Sequence, residues 1–166
     1  MTVMLLWLCG VSGCGYRFSA SGDNRIASGQ SLWVAFIAND TVSPTAQTVL
    51  RRALLDEFQA MRGAVPAGSQ SNGMLQIGGA FRSYTNTGIS YSAIDRVREY
   101  RLTISAELEI RRRGETAPFW KGVLQASQDY PANSDLALQH NAEEAALEAA
   151  SRKLSRKLIT TLEQTY

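Results

Sequence analysis

The stretch YRLTISAELEI at residues 100–110 decides the fold, because apolar and polar side chains alternate along it without a break. One face carries Leu102, Ile104, Ala106, Leu108 and Ile110, and the other carries Arg101, Thr103, Ser105, Glu107 and Glu109. Successive side chains of a β-strand point to opposite faces of its sheet. The pattern therefore predicts a strand with one face in a hydrophobic core and the other in water.

Two further strands are predicted, one on each side of this stretch in sequence. The upstream strand covers residues 75–82 and contains Gly78–Gly79, which indicates a bulge or bend. Residues 83–93, rich in Thr, Asn, Gly and Ser, are typical of a hairpin connection or a flexible strand tip. The downstream strand begins near residue 120, alternates less cleanly, and ends at Pro131.

A first strand and two helices complete the pattern. The run LWVAFI at residues 32–37 predicts a buried strand, and the helix after it is capped by Ser43, has Pro44 in its first turn and stops at Gly63. Its apolar residues at helical spacing are Ala46, Leu50, Ala53, Leu54, Phe58 and Met61. A last helix starts at Ser134–Asp135, and its apolar stripe consists of Ala146, Leu147, Ala150, Leu154, Leu158 and Leu162.

The resulting order, βαβββα, predicts one α+β domain over residues 31–166 with a four-stranded, mostly antiparallel sheet. One helix cannot cover four strands, so both helices are expected on the same face. The opposite face is then left polar or occupied by something else. Residues 64–73, which contain Pro66 and two glycines, are predicted to form a loop.

Composition excludes several classes of function. Seventeen basic and 15 acidic side chains give a net charge of only +2, so we expect no nucleic-acid partner. Both cysteines, Cys9 and Cys14, lie at the extreme N-terminus, and the body has no thiol for disulfides, metal or nucleophilic catalysis. His140, the one histidine, has Glu143 and Glu144 nearby, but a lone histidine is poor evidence for a metal or acid–base site. No phosphate-binding glycine loop or serine-nucleophile motif occurs, so we expect no enzyme, no metal and no cofactor.

The N-terminus has the features of a lipoprotein signal. The apolar run at residues 3–8 is far shorter than the roughly 20 residues of a membrane-spanning helix. It ends in Val11-Ser12-Gly13-Cys14, in which small residues precede a cysteine, as at a lipidation site. We predict a signal peptide at residues 1–13, a lipid on Cys14 and a leash at residues 14–30. The alternative is that the first fourteen residues form a buried strand.

Lipidation at Cys14 predicts where the protein works. Two or more acyl chains hold a protein stably on a membrane, so everything after Cys14 should face the periplasm. The next residue, Gly15, is typical of lipoproteins sorted to the outer membrane. We therefore expect a lipid-anchored protein on the periplasmic side of the outer membrane.

The order of elements resembles that of the lipopolysaccharide-assembly lipoprotein family, LptE. The resemblance also rests on Gly13-Cys14-Gly15-Tyr16-Arg17-Phe18, on Glu99-Tyr100 opening the long strand, and on Arg156-Lys157-Leu158 in the Ala-rich last helix. Members of that family sit inside the outer-membrane barrel protein LptD and bind lipopolysaccharide. The resemblance implies the same two partners here, in addition to outer-membrane lipid through Cys14.

Four arginines around the second and third strands form the hypothetical lipopolysaccharide site: Arg82, Arg96, Arg98 and Arg101. Guanidinium groups bind phosphates bidentately, and lipid A carries phosphates. The alternative is that these arginines form a solvated sheet face or contact the barrel wall. Three more, Arg111–Arg113, are adjacent at a strand end, where they meet acidic lipid or the barrel, or form a solvated turn.

Two other lipoprotein functions fit the same tether and fold class. One is an activator of a peptidoglycan synthase, and the other is an accessory lipoprotein of a lipid-transporting ABC system. A long Pro-rich leash would favour the first. Residues 16–30 contain no proline and reach at most about 50 Å when fully extended, which favours work close to the membrane.

Overall fold

The computed structural model describes residues 28–164, so the predicted signal peptide, Cys14 and almost all of the leash lie outside the described residues. The described chain folds into six strands and two α-helices, with a single turn of 3-10 helix at Gln70–Asn72. Their bounds are β1 Ser31–Val34, β2 Ala38–Asn39, α1 Ala46–Arg62, β3 Val65–Pro66, β4 Leu75–Tyr91, β5 Val97–Arg112, β6 Trp120–Pro131 and α2 Leu136–Gln164. Among the described residues, neither α1 nor α2 has the length and hydropathy of a membrane-spanning helix.

The strands form one mixed sheet in the order β3-β1-β4-β5-β6, with β2 also paired to β4. β1 runs parallel to both β3 and β4, and β2 runs parallel to β4. β4, β5 and β6 are antiparallel to their neighbours. The predicted α+β class is confirmed, but the four-stranded, mostly antiparallel sheet is wrong in strand number and leaves out the parallel half.

Two features of the N-terminal half account for this difference. The apolar run at residues 32–37 is not one strand, because the chain leaves the sheet after Val34 and returns at Ala38. Phe36 lies in the gap with 79% of its surface exposed, while Ile37 is buried. The predicted loop at residues 64–73 contains β3, which pairs with β1 through only two residues and leaves no recognisable pattern.

The long antiparallel strands follow the alternation predicted for them. All five predicted apolar residues of β5 are completely buried. The five polar residues that alternate with them are each at least partly exposed. Pairing of β4 with β5 extends from Leu75 to Tyr91, so the predicted connection at residues 83–93 is mostly strand. The register shifts between Phe81 and Ser83 and again between Gly88 and Tyr91. It does not shift at Gly78–Gly79, so the bulge, one of the two alternatives predicted there, is wrong.

Gly79 is required for a different reason. Its φ is +149°, and a Cβ at this position would lie 2.0 Å from the backbone oxygen of Glu107 on β5. Only glycine combines that backbone conformation with so close an approach of two strands. Gly78 has open space around it by comparison, with its nearest neighbouring atom 3.8 Å away, on Glu109.

Both helices pack on the same face of the sheet, as predicted, and they also pack against each other. α1 begins at Ala46 rather than at Ser43–Pro44, and its last residue is Arg62. Gly63, with a φ of +61° and an N–H bond to the Gln59 carbonyl, is the predicted stop. Met61 is 44% exposed and does not join the core.

The start and the apolar stripe of α2 are confirmed. Asp135 Oδ1 accepts the backbone N–H groups of Ala137 and Leu138, which caps the helix. All six predicted stripe residues are buried, and the first of them is Ala146. The first ten residues of α2 therefore contribute no buried side chain. Partly buried Ala142 packs against the core. Polar bonds also hold this segment, from Tyr84 Oη to the Glu143 carboxylate and from the Asn133 N–H to Gln139.

β6 is the outermost strand on its side of the sheet, and α2 lies against it. Lys153 on α2 donates from Nζ to the Ser127 carbonyl at 3.1 Å. The side-chain amide of Gln128 donates to the Asp129 carbonyl at 2.8 Å. Two carbonyls of an edge strand are thus occupied by donors of the same chain.

Candidate functional site

The sheet face opposite the helices is a ladder of polar pairs. The odd-numbered residues of β5 provide one member of each pair, because alternate side chains of a strand point away from the core. Ser105 bonds Ser83 on β4 at 2.6 Å, and Thr103 bonds Ser127 on β6 at 3.0 Å. The opposite face was predicted to be polar or occupied, and in the described residues it is mostly polar and internally hydrogen bonded, with Val123 exposed opposite Glu107.

Arg82, the first of the four predicted site residues, lies in the β4 bulge and binds two carboxylates. Its guanidinium donates to Asp40 at 2.5 Å and to Glu107 at 2.7 Å. Glu107 also binds Lys121 at 2.8 Å, and Lys121 together with Arg82 lowers the pKa of Glu107 to about 2. Glu107 and Asp40 in turn raise the pKa of Arg82. This guanidinium already has two anionic partners within the protein.

Arg101 is engaged in the same way. It forms a bidentate pair with Asp129 on β6, with bonds of 2.6 and 2.8 Å. The hydrogen bonds to Arg101 lower the pKa of Asp129. Arg101 lies six residues along β5 from Glu107, where Arg82 binds, so the two arginines are about 20 Å apart along the strand.

Arg96 and Arg98 lie at the far end of the hairpin. Arg96 closes the β4–β5 turn, where its carbonyl accepts the Ser92 N–H at 2.8 Å, and the Arg98 carbonyl accepts the Ala132 N–H at 2.9 Å. Both residues are exposed, and neither forms an ion pair with any residue in the described range. The four predicted arginines therefore do not form one cluster: two are paired on the polar face, and two are available at the hairpin.

Exposed apolar side chains lie on the segments next to these two arginines, namely the end of β4, the turn after it and the start of α2, and the sequence analysis did not identify them. We call this region the hairpin end, and it consists of Arg96, Arg98, Ile89, Tyr91, Ile94, Leu136 and Leu138. Ile94 is 71% exposed at the turn, and Leu136 is 85% exposed on the first turn of α2. Large apolar residues inside polar segments were the available signal. Cations beside exposed apolar groups suit an amphiphile that carries both phosphate and hydrocarbon.

A tyrosine cluster lies beneath the hairpin end. The rings of Tyr100 and Tyr130 stack with their centroids 5.6 Å apart, and Tyr84 donates to Glu143 on α2. Burial, with Glu143 as a further cause, raises the pKa of Tyr130 to about 12 and raises that of Tyr84 as well. The hydroxyls of Tyr84 and Tyr130 therefore stay protonated at neutral pH and can act as hydrogen-bond donors.

The remaining polar groups form no obvious site. His140 lies 3.3 Å from Glu144 on the exposed surface of α2, and the described residues contain no cluster of three potential metal ligands. A shallow cleft of about 220 Å³ lies between α1 and α2. Its charged lining is balanced, with Arg52 and Arg152 against Asp56 and Glu148.

A mixed sheet with a polar outer face and a two-helix layer define a small α+β domain. The chain belongs to the LptE family, described as lipopolysaccharide-assembly, whose model matches residues 29–162. This confirms the resemblance noted from the sequence. LptE is a family of non-enzymatic lipoproteins.

Several solved structures share the fold, and two of the three described below are named as lipoproteins. A putative lipoprotein from Caulobacter crescentus CB15 is 15% identical with a TM-score of 0.57, covering 79% of this chain and 86% of its own. The rare lipoprotein B from Shewanella oneidensis is 13% identical with a TM-score of 0.54, covering 82% and 96%. The PelC dodecamer from Paraburkholderia phytofirmans is 15% identical with a TM-score of 0.54, covering 82% and 90%. No curated protein matches the chain in sequence.

Proposed function

We propose that this protein is an outer-membrane lipoprotein that partners an LptD-like barrel and binds lipopolysaccharide during its assembly into the outer leaflet. The observation that carries the proposal is the LptE family match, which spans residues 29–162. The proposed role is binding rather than catalysis. It needs a membrane anchor, a surface for the barrel and a surface for the lipid.

Cys14 is the proposed anchor. The motif Val11-Ser12-Gly13-Cys14 supports it, and the lipid would hold the domain on the periplasmic side of the outer membrane. Residues 15–28 can span at most about 50 Å, so the folded domain would stay near that membrane.

The hairpin end is the proposed lipopolysaccharide-binding surface. Arg96 and Arg98 have no carboxylate partner in the described chain, so a phosphate can bind them without breaking an ion pair. Arg82 and Arg101 would first have to leave Asp40, Glu107 and Asp129, which costs free energy. We therefore assign the primary contacts to Arg96 and Arg98 and keep Arg82 and Arg101 as secondary contacts.

Partner identity is tested by affinity copurification of the full-length lipoprotein from native outer membranes, followed by mass spectrometry. We expect a stoichiometric LptD-like barrel. Recovery of a peptidoglycan synthase or of ABC-transporter components, with no barrel, would overturn the proposal in favour of the corresponding rival.

Lipid binding is tested by charge reversal at the hairpin end. The variant Arg96→Glu/Arg98→Glu should bind purified lipopolysaccharide at least about tenfold more weakly, because two charge-assisted contacts become repulsive. The matched control is Arg52→Glu/Arg152→Glu, which reverses two exposed arginines on the helices. Equal losses in the two variants would show that only overall charge matters and would remove the hairpin end from the proposal.

A further inference from the structure

β4 is longer than the strands that pair with it on one of its sides. β5 pairs with the whole of β4, whereas β1 pairs with it only as far as Ile77 and β2 only as far as Phe81. After the bond from the Asp40 N–H to the Phe81 carbonyl, no strand of the described chain lies on that side. The second half of β4 is therefore a free edge of the sheet. We call residues 83–88 the open edge.

The register of β4 and β5 shows which backbone groups the open edge presents. In an antiparallel pair, alternate residues turn their N–H and C=O groups to the partner strand, and the residues between them turn theirs away. The Arg113 N–H bonds to the residue before β4, and Ser105 faces β4 in the same way because it lies an even number of residues away. Ser83 lies opposite Ser105, so Tyr84 and Asn86 turn their backbone groups outward.

The open edge has none of the features that keep another chain from a strand edge. Its sequence, SYTNTG, contains no charged residue and no proline. The register shifts of β4, which twist an edge away from a partner, lie at the two ends of this segment and not within it. Thr85, Asn86 and Thr87 are exposed. An extended peptide can therefore add to the sheet here through main-chain hydrogen bonds.

Exposed apolar side chains lie near both ends of the open edge. Phe36 and Val42, on either side of β2 where the edge begins, are 79% and 89% exposed. Ile89 and Ile94, where the edge ends, are 37% and 71% exposed. Six residues of strand extend over about 20 Å. The partner that fits is therefore an uncharged, extended segment of about six residues with apolar side chains near both of its ends.

We propose that the open edge binds an extended loop segment of the barrel partner as an additional strand of the sheet. This inference rests on the proposed function. A closed barrel has no free strand edge of its own, so the segment comes from a loop of the barrel protein and not from its wall. The N–H and C=O groups of Tyr84 and Asn86 bond to the segment, and its apolar side chains contact those near the ends of the open edge.

A second copy of this chain fits the open edge less well than a single segment does. In a two-fold antiparallel pair centred on Thr85, Ile89 of one copy lies opposite Phe81 of the other, where β2 is already paired. The hairpin beyond Ile89 would then run into β2 of the second copy. A loop segment of about six residues ends before it reaches β2 at one end and the turn after β4 at the other.

The first test compares how much barrel protein copurifies with variants of the full-length, lipidated protein from native outer membranes. Asn86→Pro removes an outward N–H and places a proline ring on the open edge. Asn86→Ala loses the same side chain but keeps the N–H. We expect Asn86→Pro to recover at least about tenfold less barrel than Asn86→Ala, because a main-chain bond is lost and the ring keeps the added segment away.

Gln125→Pro is the matched control, on the outer edge of β6. Gln125 is exposed, and its N–H points outward like the Ser127 carbonyl that Lys153 binds, so this variant should recover as much barrel as the unaltered protein. Hydrogen exchange tests the same contact without a proline. In the barrel complex, the amides of Tyr84 and Asn86 should exchange at least about tenfold more slowly than in the free lipoprotein, and the Gln125 amide should not.

Failure of this inference is distinguishable from failure of the proposed function. If the barrel copurifies equally with Asn86→Pro and Asn86→Ala, or if the amides of Asn86 and Gln125 slow equally in the complex, the added strand is refuted while the barrel partnership stands. If no barrel copurifies with the unaltered protein, the proposed function fails and the inference fails with it. Slow exchange at Tyr84 and Asn86 in concentrated lipoprotein without barrel would assign the open edge to a second copy and overturn the choice of partner.

Discussion

Replacing Gly79 by alanine should destabilise the domain strongly, whereas the same change at Gly78 should not. Gly79 has a φ of +149°, which costs an alanine about 1–3 kcal/mol. The new methyl group would also lie 2.0 Å from the Glu107 carbonyl oxygen, so β4 and β5 must separate locally. Weakening one or two ladder hydrogen bonds adds about 1 kcal/mol each. We expect a total loss of roughly 3–5 kcal/mol.

Urea unfolding followed by circular dichroism measures this loss directly. A loss of this size is a large part of the 5–15 kcal/mol by which a typical domain is stable, and it lowers Tm by about 10 °C or more. Gly78→Ala is the control, because its methyl group meets nothing closer than 3.8 Å, and it should cost about 1 kcal/mol or less. The strand-approach argument is refuted if Gly79→Ala is as stable as Gly78→Ala.

Three further predictions concern a buried hydroxyl, a surface carboxylate and the first turns of α2. Ser151→Ala should raise the free energy of unfolding by about 1 kcal/mol, because the completely buried Oγ of Ser151 has no hydrogen-bond partner. Stability should fall as the pH drops from 4.5 to about 2, since the folded state holds the pKa of Glu107 below its unfolded value, and Glu107→Gln should flatten this dependence in urea titrations. Tyr84→Phe should speed amide hydrogen exchange in residues 136–145, which no buried side chain holds.

Each of these three has its own control. Ser155→Ala should not stabilise the protein, because Ser155 Oγ already donates to the Ser151 carbonyl at 2.9 Å. A larger gain in stability from Ser155→Ala than from Ser151→Ala would contradict the argument. If the stability of Glu107→Gln depends on pH as strongly as that of the unaltered protein, the loss of stability in acid comes from other groups, such as Asp129. Faster exchange throughout α2 in Tyr84→Phe would show that the helix opens as one unit.

The sequence predicted the elements whose burial is periodic. β5 and the stripe of α2 bury side chains at regular intervals, so their patterns reflect packing directly. The predicted strand at residues 32–37 covered most of β1 but continued through the gap after Val34. β2 and β3 could not be recognised, because each is two residues long and pairs with a distant partner. The two glycines at residues 78–79 were interpreted as a possible bulge, but Gly79 is needed because β4 and β5 approach closely there. The register shift lies at residue 82, where no glycine marks it.

The candidate site was predicted only in part, for an electrostatic reason. Sequence spacing places four arginines along one hairpin, but it does not show which carboxylates come opposite them. Asp129 lies on a strand 28 residues beyond Arg101, and Asp40 lies 42 residues before Arg82. Those long-range pairings separate the two engaged guanidinium groups from Arg96 and Arg98.

The edge of β6 has a consequence for the protein at high local concentration. An unpaired strand edge is a template on which a neighbouring copy can extend the sheet. Here Lys153 and Gln128 already donate to two carbonyls of that edge, so an incoming strand must displace both before it can pair along the full length. A charged lysine held there also repels the Lys153 of a second copy. These two contacts, one from the last helix and one from β6 itself, therefore oppose pairing of this edge with the sheet of a second copy.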